Sequence, residues 1–350
     1  MDPKDILTSE ETLFRNAEAF NPDYVPDQFS FRDAQLKEMM FCLRPVIRGG
    51  KASNAFMIGQ PATGKTTAVR LVFEQLMETT SSVIPAYVNC RIESSAFKII
   101  SEIRRAVLGM PAPDTGIPIT RVRDEVFSRL KRDGKHLVVC LDDVNYLFSS
   151  GIADEVLYSI LRAHEAFPGV KTCVFAISTE EVLHKLDGSV RSTFSPVRIE
   201  FPPYSTSEIT EILSRRREYG LYPNVLSDQL LGEIASRTRD LRWGIELLKQ
   251  SALAAESDAS KKIKQAHMER ALKSLSPPEA SDDKMMMLEI LRERGPLESG
   301  RLFSEIKERR EVSYASFYRM LRRLEAGGFI EIESRQAASG RGRTSTIRAR

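Results

Sequence analysis

The sequence predicts an α/β fold: a parallel sheet with helices on both faces, then a small all-helical domain, then a compact winged helix. Three observations carry this. Residues 54–204 alternate short apolar runs with amphipathic helical stretches, the pattern of a parallel sheet whose crossovers are helices. From Ser205 to about Leu275 every segment has helical spacing. Beyond a proline-bearing polar stretch, residues 281–350 hold three helical runs followed by two strand-like runs around a Gly/Arg loop.

Taken in order, strands are expected at 54–58, 83–89, 136–141, 171–177 and 197–201. Pro202 and Pro203 then end the pattern, since proline cannot donate to a ladder. Ser207, Ser227 and Asp240 are placed as helix starts in the domain that follows. Ser276-Pro277-Pro278-Glu279-Ala280-Ser281 suits neither helix nor strand and reads as a linker. Helical runs at 284–294, 301–310 and 313–326 lead to Gly327-Gly328, a strand at 329–333, a loop rich in Arg, Gly and Ser, and a last strand at 344–348. The expected domains are therefore 1–204, 205–276 and 281–350.

At 350 residues and 42% apolar content the chain can bury a sizeable core. The apolar run 137–141 is far short of the ~20 residues a membrane crossing needs, so no membrane partner is expected. Met1-Asp2-Pro3-Lys4-Asp5 has neither the basic start nor the apolar stretch of a secretion signal, which predicts a cytoplasmic, reducing location. Cys42, Cys90, Cys140 and Cys173 stand far apart and read as core thiols. The net charge of +3 is uneven: residues 281–350 hold 15 Lys and Arg against 11 Asp and Glu. A basic end domain points to a polyanionic partner, or to a solvated surface.

Gly59-Gln60-Pro61-Ala62-Thr63-Gly64-Lys65-Thr66 has the spacing of a phosphate-binding loop. Such a loop needs glycine where the backbone approaches phosphate oxygens, a lysine for the β and γ groups, and a hydroxyl for Mg²⁺. Gly59, Gly64, Lys65 and Thr66 fill those posts, with Ala62, Thr63 and Thr67 in the same cradle. Phe56 to Ile58 can form the preceding strand, and a helix from Thr66 to Met77 would add the positive potential of its N-terminus. Downstream, Leu137-Val138-Val139-Cys140-Leu141 ends in Asp142-Asp143. A carboxylate at the end of a buried strand holds Mg²⁺ from the sheet side, which makes Asp142 the metal-side group with Thr66. Asp143 is the candidate for orienting the attacking water. It is one methylene shorter than Glu, which predicts slow hydrolysis. The alternative is that both acids cap the next segment.

Together these residues resemble the AAA+ ATPases, and within them the archaeal replication initiators of the origin recognition complex and cell-division-cycle-six type. The likeness spans nearly the whole chain. Asp23 to Arg32 is similar to the family's adenine-side segment, which implies that Val25, Pro26 and Arg32 lie beside the base. Asn89-Cys90-Arg91 and the helical stretch 94–108 resemble the initiator-specific insertion. Phe201-Pro202-Pro203-Tyr204, with Glu208-Ile209 and Ile212-Leu213, is similar to the entry to the helical lid. The resemblance implies nucleotide contacts from Tyr204 and Arg216, although Tyr204 can also pack between domains and Arg216 can be one of three solvated arginines. Arg239-Asp240-Leu241-Arg242 resembles the sensor-2 element, in which Arg242 would report ATP or ADP at the γ-phosphate. Ile177-Ser178-Thr179-Glu180 replaces the polar Asn that often follows the fourth strand, leaving Thr179 to hydrogen-bond water. In Ser189 to Phe194, Arg191 is the candidate for an arginine acting on a neighbouring subunit.

In the last helix Phe317, Leu321 and Leu324 define a core face and leave Ser316, Arg319, Arg322 and Arg323 on other faces. A basic helix of this kind can enter a major groove. Gly340-Arg341-Gly342-Arg343-Thr344 puts Arg341 and Arg343 on a glycine-bearing hairpin loop, which resembles the family's wing. Lys98, Arg104 and Arg105 offer a second DNA contact or an ordinary charged face. The resemblance thus implies a protein that binds ATP/ADP with Mg²⁺, recognises duplex DNA at a replication origin, self-associates there and engages a replicative helicase. Two alternatives are a winged-helix signalling or transcriptional ATPase, and a loader of protein rings without specific DNA binding.

Overall fold

The computed structural model describes residues 12–22, 24–26, 28–113, 116–238, 240–275, 280–309, 312–326, 329–336 and 343–349. Internal contacts divide the chain into two compact units, Met1–Lys264 and Gln265–Arg350. The division falls ahead of the linker expected at 276–281, of which residues 276–279 lie outside the described set. Ala280 and Ser281 already belong to a helix. Alanine is the strongest helix former and proline is tolerated just before a first turn.

The first unit is built on five parallel strands, β1 (Ala55–Ile58), β2 (Val83–Asn89), β3 (His136–Asp142), β4 (Thr172–Ser178) and β5 (Val197–Glu200), in the order β2-β3-β4-β1-β5. The strands expected from sequence match within one residue at each end. β3 and β4 are buried along nearly their whole length, as strands covered on both faces must be. Alternation decides which face each side chain joins. Phe56, Val139 and Leu141 pack with Ile99, Val126, Phe127 and Leu157, whereas Met57, Val138 and Cys140 pack with Met39, Leu43, Val69 and Phe73. The first face is covered by α3 (Ala96–Leu108), α4 (Ile119–Asp133) and α6 (Ala153–Leu161), the second by α1 (Asp33–Ile47) and α2 (Lys65–Thr79). The shorter α5 (Asn145–Ser149), α7 (Ala163–Ala166) and α8 (Gly188–Phe194) add Leu147, Ala163, Val190 and Phe194 to the first face. All four cysteines are buried and free.

The lid of this unit holds α9 (Thr206–Gly220), α10 (Asp228–Arg237) and α11 (Leu241–Ser257). Ser227 and Asp240 cap their helices as expected. For α9 the cap is Ser205, not Ser207, because only Ser205 has Glu208 three residues on to close a reciprocal capping box. An N-terminal segment is fastened along the lid. Phe14 bridges Leu221, Arg15 N donates to Gly220 O at 2.9 Å, and Leu13 N donates to Glu256 at 2.6 Å.

The second unit holds α12 (Gln265–Leu275), α13 (Ala280–Arg294), α14 (Ser299–Arg309) and α15 (Tyr314–Ala326), with β6 (Leu297–Glu298), β7 (Ile330–Gln336) and β8 (Arg343–Ala349). Leu288, Leu302, Phe317, Leu321, Ile330 and Ile347 form one core, so three helices and an antiparallel sheet ordered β6-β8-β7 make a winged helix. Sequence reading missed β6, since two residues carry no period and only pairing with Thr346 and Ile347 makes them a strand. Among the described residues no helix is long and apolar enough to cross a membrane.

Candidate nucleotide-binding site

Strand register brings the ends of β1, β3 and β4 together. Ile58, the last residue of β1, pairs with Ser178 of β4, and Asp142, the last of β3, pairs with Asn89 of β2. The loop leaving β1 therefore opens beside the acidic end of β3, at the carboxyl edge where open α/β sheets bind ligands. Ala62 and Gly64 have φ of 61° and 92°, the left-handed turns that curl a phosphate loop. A Cβ on Gly59 would lie 2.3 Å from Phe201 O, and one on Gly64 would meet Phe29 and the Tyr204 hydroxyl at 2.8 Å. Both glycines are thus required by close approach.

Lys65 is 7% exposed and its Nζ donates to Gly59 O at 2.6 Å and Gln60 O at 2.8 Å. Burial pulls its pKa down from the usual lysine value to about 8, with Asp142 and Asp143 opposing that shift and Arg242 adding to it. A buried cation among carbonyls fits a polyphosphate. Thr66 Oγ1 donates to Asp142 Oδ2 at 2.6 Å, and Asp143 N donates to Asp142 Oδ1 at 2.9 Å. This leaves the threonine oxygen's lone pairs for a cation, so Thr66 and Asp142 fit the Mg²⁺-side pair. Asp143 stands at φ 54°. Burial first, then Asp142, raises its pKa, while Arg91, Lys65 and Arg242 act to lower it. Arg242, exposed on α11, thus lies within electrostatic reach of Lys65 and Asp143; Arg239 lies outside the described residues.

Around the loop, Arg32 is 2% exposed, donates to Thr63 O at 3.0 Å and Pro202 O at 2.6 Å, and lies under Tyr204. Val25 and Pro26 are half-buried in the same N-terminal segment. Arg216 reaches Ala19 O at 2.5 Å and stacks on Tyr24 at 4.4 Å. Its neighbours are engaged too: Arg215 with Ser30 and Gln28, Arg217 with Asp228. Arg215 and Arg216 thus hold the N-terminal segment in place, while Arg217 ties lid residues to one another. Thr179, exposed, follows β4 directly, between the ends of β1 and β3. Arg191 is exposed on α8.

Sequence reading missed Phe29, seated over Gly64, and Tyr87, whose hydroxyl donates to Asp142 Oδ2 at 2.7 Å. For Phe29 the only signal is its place before Arg32; for Tyr87 it is parity with Asn89, visible once β2 is paired with β3.

In the winged helix, Arg319 and Arg322 are exposed on α15, with Arg322 beside Glu325 at 3.2 Å. Tyr314 and Tyr318, 56% and 46% exposed, extend that surface and were not singled out from sequence. Arg323 lies in α15 and Arg343 begins β8; their side chains, and all of Arg341, lie outside the described residues. Arg104 departs from expectation. It is tied to Glu125 at 2.9 Å and to Met110 O and Pro111 O at 3.0 and 2.7 Å, because α3 and α4 pack closely and a stem there is drawn inward. Arg105 pairs with Glu102 at 3.1 Å, and Lys98 is exposed.

This sheet order, with a phosphate loop after β1, paired acids at the end of β3 and a lid arginine within electrostatic reach of both, defines an AAA+ ATPase fold. Residues 210–273 match the model of the Cdc6 AAA+ ATPase-type lid domain. The chain is 42% identical over 336 residues to ORC1-type DNA replication protein 2 of Methanothermobacter thermautotrophicus, covering 93% of this chain and 89% of that protein. It is 37% identical to the protein of the same name from Methanosarcina acetivorans, covering 100% and 96%. The structure of the Aeropyrum pernix ORC1 protein in complex with DNA is similar at a TM-score of 0.74 and 25% identity, with 97% of this chain and 94% of that one covered. The chain belongs to the family of ORC1-type DNA replication proteins.

Proposed function

We propose that this protein is an ATP/ADP-switched replication initiator that binds duplex DNA at origins through its winged helix and regulates helicase loading. The observation that carries the switch is the position of Arg242. A lid arginine within reach of both Lys65 and Asp143 senses whether a γ-phosphate lies between them, and lid angle is the element such a difference biases. Mg²⁺ held by Thr66 and Asp142 would supply charge neutralisation for the phosphates. Turnover is slow in this reading, with Asp143 and Thr179 as the water-side groups and Arg191 as the candidate contribution from a neighbouring copy on DNA.

DNA binding is supported by the full-length likeness to an initiator solved with DNA and by the basic α15 surface. Chromatin immunoprecipitation of the native protein tests the whole reading. Occupancy confined to a few loci where synthesis starts is expected; spread over many promoters would reject it in favour of a transcriptional role.

A further inference from the structure

The phosphate loop and the acids account for Lys65, Thr66 and Asp142, but not for the tyrosine that meets them. Asp142 is 4% exposed and accepts three hydrogen bonds. Oδ1 takes Asp143 N at 2.9 Å. Oδ2 takes Thr66 Oγ1 at 2.6 Å and Tyr87 OH at 2.7 Å. A carboxylate oxygen offers two lone pairs, so Oδ2 is filled and Oδ1 keeps one. Tyr87 reaches this position because β2 and β3 run parallel with Tyr87 opposite Cys140 and Asn89 opposite Asp142. Alternation then puts Tyr87, Cys140 and Asp142 on the α2 face of the sheet, where Tyr87 packs against that core. The Arg70 guanidinium, one turn after Thr66 on α2, sits 5.5 Å from the tyrosine ring centre.

We infer that Tyr87 is a positioning residue for the cation side of the nucleotide site: its hydroxyl fixes the Asp142 carboxylate so that Oδ2 stays committed to Thr66 and does not swing out. This rests on the nucleotide-site reading above. The physical consequence is a division of labour. Thr66, its proton held by Asp142, would present oxygen lone pairs to magnesium, and Asp142, with Oδ2 committed to Thr66 and Tyr87, would keep one Oδ1 lone pair for the ion. Without the tyrosine hydroxyl the carboxylate has one fewer anchor and Thr66 loses its fixed orientation. Packing alone does not need this hydroxyl, since phenylalanine would fill the same place on the sheet.

The test compares Tyr87→Phe and Tyr87→Leu with wild type in the full chain, reading the affinity for methylanthraniloyl-ATP with magnesium and with EDTA. The expected result is that both variants lose about tenfold of the magnesium-dependent gain in affinity, the size of one hydrogen bond to a charged group, while the affinity in EDTA stays within about twofold. Loss of the hydroxyl is common to both variants, so a change confined to Tyr87→Leu would assign the effect to packing and overturn the inference. So would a magnesium-dependent gain in Tyr87→Phe equal to that of wild type, or an equal loss with and without magnesium. Wild type with nucleotide affinity but no magnesium dependence overturns this inference alone, whereas wild type without any nucleotide affinity overturns the site itself.

Discussion

The Arg32 guanidinium lies 3.7 Å from the centre of the Tyr204 ring while its three nitrogens donate to Thr63 O, Phe31 O and Pro202 O at 3.0, 2.8 and 2.6 Å. One buried side chain thereby ties the phosphate loop to the exit of β5 and to the entry of the lid. A planar fork with a stacking face does this; an ammonium cannot. Arg32→Lys is expected to lose about 2–4 kcal/mol of stability through unmade bonds to buried carbonyls, and to weaken ATP binding because Thr63 and Tyr204 lose their shared anchor. Denaturant unfolding with and without ATP measures both, and unchanged values would refute the clamp.

Lys65 makes the protein's stability pH-dependent in a defined window. Its folded value of about 8 lies below the ordinary ~10.4 of an unfolded chain. Below pH 8 both states carry the proton, and burying the charge costs stability. Between about 8 and 10.4 the unfolded state holds a proton the folded state has shed, so stability relative to Lys65→Met rises through this window, on the order of 3 kcal/mol in all. Phosphates restore the proton, so ATP binding at pH 8–9 should take protons up. Binding heats that do not change with the buffer's ionisation enthalpy would contradict this.

A Cβ on Gly220, at the end of α9, would come within 2.2 Å of the Phe20 ring. Helix propensity alone would make Gly220→Ala stabilising by about 1 kcal/mol. The clash decides the sign instead: a net loss of about 1–3 kcal/mol is expected, reversed in part by Phe20→Leu. Chemical denaturation of the single and double variants gives the answer. A Gly220→Ala variant more stable than wild type would show that the N-terminal segment does not pack on the lid.

Arg319 and Arg322 present charge on the exposed side of α15. If both meet phosphates, replacing the two with Ala should flatten the dependence of log affinity on log salt by up to about two. Fluorescence anisotropy on origin duplex over a range of salt concentrations reads the slope, and a wild-type slope would exclude α15 from the backbone contact.

Much of this molecule was legible in the chain. Short apolar runs interrupted by helical periodicity located the strands, most plainly β3 and β4, because a strand buried on both faces cannot hide its composition; β5, an edge strand exposed but for Ile199, carries a weaker signal. The phosphate loop was legible because it is local: glycine spacing, lysine and threonine lie within eight residues. Asp142 was legible as the polar end of an apolar strand. Short elements and distant partners were not. β6 exists only through its pairing with β8, and the cap of α9 turned on which serine had its glutamate three residues on.

What the sequence by itself determined was the class of fold and the chemistry of the loop, both properties of residue type and spacing. Tertiary structure alone decided which groups meet. It gave Arg216 to Ala19 and Tyr24, Arg104 to Glu125, and the last lone pair of Asp142 Oδ2 to Tyr87. Those choices depend on strand register and helix packing, where a shift of one residue turns a side chain to the opposite face.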